Sequence, residues 1–170
     1  MKTVPLSLML MRHAKSAWDD PELSDHDRPL NGRGRDAAER MGRYMVEQGL
    51  EPQLVLCSSA VRTSETLEIL SRSFTHEPQV HHHRGLYLAS PATILQAIRR
   101  WAEKEARILL LGHNPGMHEL VEHFTEPLDK FPTAALAEIS FDLADWQSLI
   151  EASRPRCWRV VTPKSLADGA

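Results

Sequence analysis

The sequence predicts an α/β fold: a three-layer α/β/α sandwich around a mostly parallel central sheet, with an antiparallel edge strand. Three observations lead there. Short, nearly continuous apolar runs, the mark of strands buried on both faces, alternate four times with segments whose apolar residues recur at helical spacing. At 170 residues, 42% hydrophobic and 25% charged, the chain has the length of one domain and enough apolar material to fold without staples. No apolar run reaches the roughly 20 residues that span a bilayer.

Leu6 to Met11 is the first strand, and the polar, aspartate-rich stretch from Asp19 to Asn31 is a long loop. From Asp36 to Gln48, Ala37, Ala38, Met41, Tyr44 and Met45 recur at helical spacing, and Gly49 supplies a stop. Leu54 to Cys57 is a second buried strand. A helix beginning near Ser59 follows, carrying Leu67, Leu70 and Phe74 on one face. Val80 to His83 is a third strand. Ser90 before Pro91 starts a helix striped by Ile94, Leu95 and Ile98. Ile108 to Leu111 is the most strand-like run, and Asn114-Pro115 opens a helix with Met117, Leu120, Val121 and Phe124. Beyond these four βα units, Leu136 to Phe141 and Trp158 to Val161 read as two more strands, the last antiparallel at an edge. Right-handed crossovers close the three layers.

Composition excludes several classes of protein. A net charge of −3 argues against a nucleic-acid partner, which usually meets a basic stripe. Two cysteines, Cys57 and Cys157, rule out a disulfide framework and favour a cytoplasmic location. The apolar stretch from Val4 to Met11 is broken by Arg12, His13 and Lys15 before a signal-peptide core could form, so neither membrane nor export is expected.

The chemistry gathers at strand ends. Arg12 and His13 follow the first strand, Ser58 and Arg62 the second, His113 the fourth. In an open parallel sheet those carboxyl ends border the ligand crevice. Two guanidinium forks, two imidazoles and the helix starts near Ser59 and Asn114 suit a phosphoryl group. A neutral imidazole there can attack phosphorus in line while the arginines spread the charge on the equatorial oxygens. Water would then hydrolyse the phosphohistidine so formed. With Arg12, Arg62 and a protonated His113 supplying positive charge, no metal and no cofactor is required. A neutral His13 paired with a protonated His113 implies a bell-shaped pH profile.

Leu10-Met11-Arg12-His13-Ala14 resembles the "RHG" signature of the histidine phosphatase (phosphoglycerate mutase-like) superfamily, with alanine in place of the usual glycine. Ser58-Ser59-Ala60-Val61-Arg62-Thr63 and Gly112-His113-Asn114 resemble its second and third motifs. The small size, Asp27-Arg28-Pro29-Leu30 before Gly32-Arg33-Gly34, and Lys130-Phe131-Pro132-Thr133-Ala134 are similar to the SixA-type phosphohistidine phosphatase branch. The resemblance spans Leu6 to Thr162 and implies one histidine-phosphatase-like domain over 1–170. It implies that His13 is the phosphorylated nucleophile, and that Arg12, Arg62 and His113 bind and stabilise the transferring group. Ser58 and Asn114 follow as outer contacts, and Lys15 as a candidate for phosphate or substrate.

Larger members of the superfamily place a glutamate soon after the third strand as proton donor. Here that region reads Gly85-Leu86-Tyr87-Leu88, without a carboxylate. A leaving imidazole, with a pKa near 6.5, needs far less protonation than an alkoxide. The expected substrate is therefore phosphohistidine on a protein, with Asp19, Asp20, Asp25 and Asp27 as alternative proton donors. Two other readings stand beside it: a phosphatase of a small phosphomonoester or anhydride, and a non-catalytic phosphate-binding regulatory module. The segment from Lys130 to Ala134 either lines the pocket or only turns the chain at Pro132.

Other motifs fail on geometry. Four residues separate Cys57 from Arg62, too few for the cysteine-dependent phosphatase loop, so Cys57 reads as a buried strand-end residue. His81, His82 and His83 alternate faces in a strand and cannot converge on one metal. His118 and His123 lie five apart rather than four, so no zincin face forms. Gly32-Arg33-Gly34 follows no strand and is not a dinucleotide fingerprint.

Overall fold

The computed structural model describes residues 4–168; the remaining ends of the 170-residue span lie outside the described residues. Strands β1 (Leu6–Arg12), β2 (Leu54–Ser58), β3 (Gln79–His83), β4 (Arg107–Gly112), β5 (Leu136–Phe141) and β6 (Cys157–Val161) form one sheet in the order β3-β2-β4-β1-β5-β6. The first four are mutually parallel. Strand β5 pairs antiparallel with β1, and β6 pairs antiparallel with β5, so antiparallel pairing extends one strand further into the sheet than the expected edge.

The central strands β1, β2 and β4 are almost wholly apolar because alternate residues serve two cores. Leu8 and Leu10 of β1 face a cluster with Leu56, Ile108 and Leu110, covered by helices α3 (Pro91–Trp101) and α4 (Gly116–Phe124) through Ile94, Ile98 and Leu120. Met9 and Met11 face the other way, among Val55, Cys57, Leu109 and Leu111. There α1 (Gly32–Glu47) and α2 (Val61–Ser71) supply Met41, Met45, Leu67 and Leu70. Each such buried leucine or methionine contributes about 1.5–3 kcal/mol of transfer free energy. A terminal helix of 6 residues, α5 (Pro163–Asp168), is too short to show an apolar period in the sequence; its Leu166 packs on the second cluster.

Two helix starts differ from expectation. Helix α1 begins at Gly32 rather than Asp36, because the Asn31 side chain accepts from the Gly34 N–H at 2.8 Å and caps a first turn that is too polar to show periodicity. Helix α2 begins at Val61, beyond Ser59, with Ala60 as its cap residue. Close approach then requires glycine at two helix starts beside the site. A Cβ on Gly34 would lie 2.1 Å from the Lys15 carbonyl oxygen, and one on Gly116 would lie 1.8 Å from that of Ala89.

Candidate active site

Sheet order explains why residues distant in the chain meet. Strand β4 lies between β1 and β2, and Arg12 at the end of β1 is in register with Gly112 at the end of β4. The residues that follow, His13 and His113, therefore emerge side by side, with ring centroids 5.4 Å apart. From the first turn of α2, Arg62 reaches the same rim. Arg12, His13, Arg62, His113, Asn114 and Lys15 all line one cavity of about 310 Å³. Ser58 does not. Its hydroxyl is fully buried, accepts from the Ala60 N–H at 3.4 Å and shares a hydrogen bond of 2.8 Å with His113 Nε2, so it holds the imidazole from behind instead of reaching a ligand as an outer contact.

Local bonds aim each group. His13 Nδ1 donates to the carbonyl of Ala14 at 2.6 Å, which places the proton on Nδ1 and leaves the lone pair on Nε2. The Ala14 N–H donates to Thr66 Oγ1, whose hydroxyl donates in turn to the Arg62 carbonyl, tying the β1 loop to α2. The carbonyl of Phe131 accepts from Arg12 Nη1 at 3.3 Å and from Asn114 Nδ2 at 2.9 Å, while Thr133 lines the cavity. Thus the segment from Lys130 to Ala134 both borders the pocket and holds two of its residues. Asn114 Oδ1 also accepts from the His118 N–H at 3.2 Å, so its amide bonds backbone at both ends.

Three residues take roles that their sequence positions did not indicate. Arg28 is buried at the pocket wall and donates to Ser16 Oγ at 3.1 Å. Asp25 is salt-bridged to Arg28 at 2.8 Å and to Arg62 at 3.0 Å, and it accepts from the Tyr87 hydroxyl. Those bonds, the Tyr87 one foremost, hold the Asp25 carboxyl well below the usual carboxylate range. It is therefore an anion clamp on the arginines and not the proton donor that the loop was expected to offer. Tyr87, at the position where an acid was missing, packs its ring edge-on to His113. The polar loop carries only one sequence signal for these contacts, an arginine amid aspartates.

Electrostatics departs from the expected pairing of a neutral with a charged histidine. Burial, with help from Arg62, Arg12 and Arg28, lowers His13 to about 4. Burial and the neighbouring His13 and Arg62 lower His113 to about 3. Both shifts favour neutral imidazoles at pH 7, against the protonated His113 of the bell-shaped scheme. With Nε2 bonded to the Ser58 hydroxyl, Nδ1 is the nitrogen of the His113 ring left without a partner among the described residues. Of five buried side-chain polar atoms without a partner among the described residues, three are Arg12 Nε, Arg62 Nε and His113 Nδ1. Unspent buried donors of this kind fit an anionic ligand.

Because both histidines have folded values below their unfolded value of about 6.5, the folded state takes up fewer protons than the unfolded state as pH falls through that value. Stability is therefore expected to decline from pH 6.5 toward 4, at up to about 1.4 kcal/mol per pH unit for each imidazole, and to be insensitive to them above pH 7. Urea midpoints at pH 7 and 4.5 check this, with His13→Asn and His113→Asn each flattening the slope. An unchanged slope in both variants rules the imidazoles out as its source. For the same reason kcat/KM should keep its acid limb well below neutrality.

The other candidate motifs lie elsewhere. Cys57 is fully buried and its thiol is pushed up to about 12 by burial. His81 and His83 share a face, with ring centroids 5.9 Å apart beside Trp101, and no group of three possible metal ligands occurs among the described residues.

Fold and pocket together define a class: an α/β protein that gathers arginines and paired imidazoles in one cavity at the carboxyl end of its sheet. The chain belongs to the histidine phosphatase superfamily (branch 1), whose sequence model matches residues 8–87, and it falls in the SixA-type branch of that family of phosphatases. It is 30% identical over 147 residues to the phosphohistidine phosphatase SixA of Escherichia coli, covering 81% of this chain and 86% of that one. An uncharacterised chloroplastic protein of Arabidopsis thaliana is 32% identical over 162 residues, covering 90% and 74%. Among solved structures, an Agrobacterium tumefaciens protein assigned as a SixA phosphohistidine phosphatase superposes with a TM-score of 0.76 at 27% identity, covering 94% of this chain and 97% of that one. A protein histidine phosphatase SixA complexed with tungstate shares the fold, with a TM-score of 0.77 at 23% identity over 95% and 99% of the two chains.

Proposed function

We propose that this phosphatase hydrolyses phosphohistidine on a protein through a phospho-His13 intermediate, without a metal. His13 Nε2 attacks phosphorus in line as the bond from phosphorus to the substrate imidazole breaks. When the other nitrogen of that imidazole is protonated, the ring departs neutral, taking the electron pair of the broken bond and needing no further proton. Arg12, Arg62 and the Nδ1–H of His113 carry the charge on the transferring oxygens. Water then attacks phosphorus, phosphate leaves, and His13 is restored.

The observation that carries this reading is the wall of the cavity. Arginine, lysine and histidine line it, and no carboxyl group does among the described residues. Asp25 is held ionised, and the exposed Asp27 is pushed below its ordinary range by its bond from His26. An alkoxide leaving group demands an acid, whereas an imidazole does not. The Escherichia coli relative, described as a phosphohistidine phosphatase, supports the same substrate.

The free thiols Cys57 and Cys157 fit a reducing compartment such as the cytoplasm, and no helix among the described residues is long and apolar enough to cross a membrane.

The test is a comparison of kcat/KM on a phosphohistidine carrier protein and on a panel of phosphomonoesters, with EDTA present throughout. Values at least about 100-fold higher on the carrier are expected, corresponding to about 2.7 kcal/mol of transition-state preference. A higher value on a small metabolite moves the assignment to the metabolite phosphatase, and phosphate binding without release from any substrate moves it to the regulatory module.

A further inference from the structure

We propose that Trp18 and Leu88 form the leaving-group subsite of this enzyme, gripping the flat imidazole ring of the substrate at the mouth of the phosphate pocket. The inference rests on the phosphohistidine reading and names the side chains that would select it. Both residues line the same cavity as Arg12, His13 and His113. Both are large apolar side chains left in water, Trp18 at 78% exposure and Leu88 at 53%. The cations on the inner wall account for the phosphoryl group and leave most of the apolar surface of these two in water.

Trp18 is oriented before any substrate arrives. The guanidinium carbon of Arg28 lies 3.4 Å from the centre of its ring, a cation–π contact that covers one face. The other face stays open. Arg28 is itself fixed by Ser16 and Asp25, so the indole rests on a braced wall of the pocket.

Leu88 is placed at a conformational cost. Its φ of +52° lies in the left-handed region, which leucine rarely adopts. Its neighbour Tyr87 turns inward to bond Asp25 and pack on His113, which anchors the turn from one side. The positive φ leaves Leu88 at the cavity mouth, a position where glycine would carry no strain but would offer no surface.

An apolar wall and an open aromatic face suit a planar heteroaromatic leaving group, since ring pairs gain attraction beyond the area they bury. They do nothing for the phosphoryl oxygens. In the transfer step the phosphorus–nitrogen bond to the substrate ring breaks as the bond to His13 Nε2 forms, and the departing neutral imidazole remains between Trp18 and Leu88.

Two small compounds isolate this contact. Phosphoimidazole and phosphoramidate both present a phosphorus–nitrogen bond, but only the first has a ring. The measured quantity is the ratio of their kcat/KM values. Trp18→Ala is expected to lower that ratio about five- to tenfold, Leu88→Ala about threefold, and Trp18→Phe to hold it within about twofold. If the wild type hydrolyses both compounds and the ratio in Trp18→Ala equals the wild-type ratio, the subsite is refuted while the phosphohistidine reading stands. Equal losses on both compounds refute it as well, because Trp18 then acts only by holding Arg28. Hydrolysis of neither compound by the wild type overturns both claims.

Discussion

Replacing His13 by alanine is expected to abolish turnover, by at least about 10⁴-fold, and to leave the protein unlabelled after incubation with radiolabelled phosphodonor. The expected loss is this large because neither the nearby thiol nor the second imidazole is placed to take over the attack on phosphorus. Cys57, the one thiol near the rim in sequence, is sealed within β2 with its pKa pushed up to about 12, so almost no thiolate exists at neutral pH. His113 lies beside His13, but its Nε2 is hydrogen-bonded to the buried Ser58 hydroxyl and its Nδ1 is itself buried. His13 alone combines a free Nε2 lone pair with a tautomer locked by the Ala14 carbonyl. Cys57→Ala should retain both turnover and labelling. A His13→Ala protein that still becomes labelled, or still turns over, would show that the phosphoryl group goes elsewhere.

Arg62→Ala is expected to lower kcat/KM by about 10²–10³-fold, the loss that follows removal of one preorganised charge donor. Arg62 is 3% exposed and gives Nη1 to the Asp25 carbonyl at 2.6 Å and Nη2 to its carboxylate at 3.0 Å, leaving Nε unspent. Removing it subtracts charge from the phosphoryl site and frees the Asp25 carboxylate to repel the substrate. Lysine should recover little, since a point charge cannot span the carbonyl, the carboxylate and a phosphoryl oxygen at once. Stability should change by only about 1 kcal/mol, because the Asp25 side chain is half exposed and keeps Arg28. Steady-state kinetics beside a melting curve separates these effects. A variant with near wild-type kcat/KM would remove Arg62 from the phosphoryl site.

Strands β1, β2 and β4 were legible because burial on both faces leaves no room for polar alternation. Helix α3 was legible because Ser90 accepts from the Thr93 N–H and Pro91 occupies the first turn. The first turn of α1 was not, since Gly32, Arg33, Gly34 and Arg35 carry no apolar stripe and their ordering comes from Asn31. Arg12, His13, Arg62 and His113 could be singled out as candidates because each follows an apolar strand within a few residues. The contacts of Asp25, Arg28, Tyr87 and the Phe131 carbonyl could not. Tyr87 lies 62 residues from Asp25 and Phe131 lies 119 from Arg12, and no local periodicity encodes such pairings.

Side-chain chemistry and spacing along the chain are thus sufficient for the α/β class, for the strand ends that carry cations and imidazoles, and for the missing acid after β3. Folding contributes what depends on neighbours brought from far away. Inserting β4 between β1 and β2 seats the two imidazoles together, and burial beside Arg62 and Arg12 favours the neutral form of both. The same packing turns Ser58 from a ligand contact into a support and Asp25 from an acid into a clamp. Charge state and hydrogen-bond direction depend on dielectric and distance, and those exist only once the chain has closed on itself.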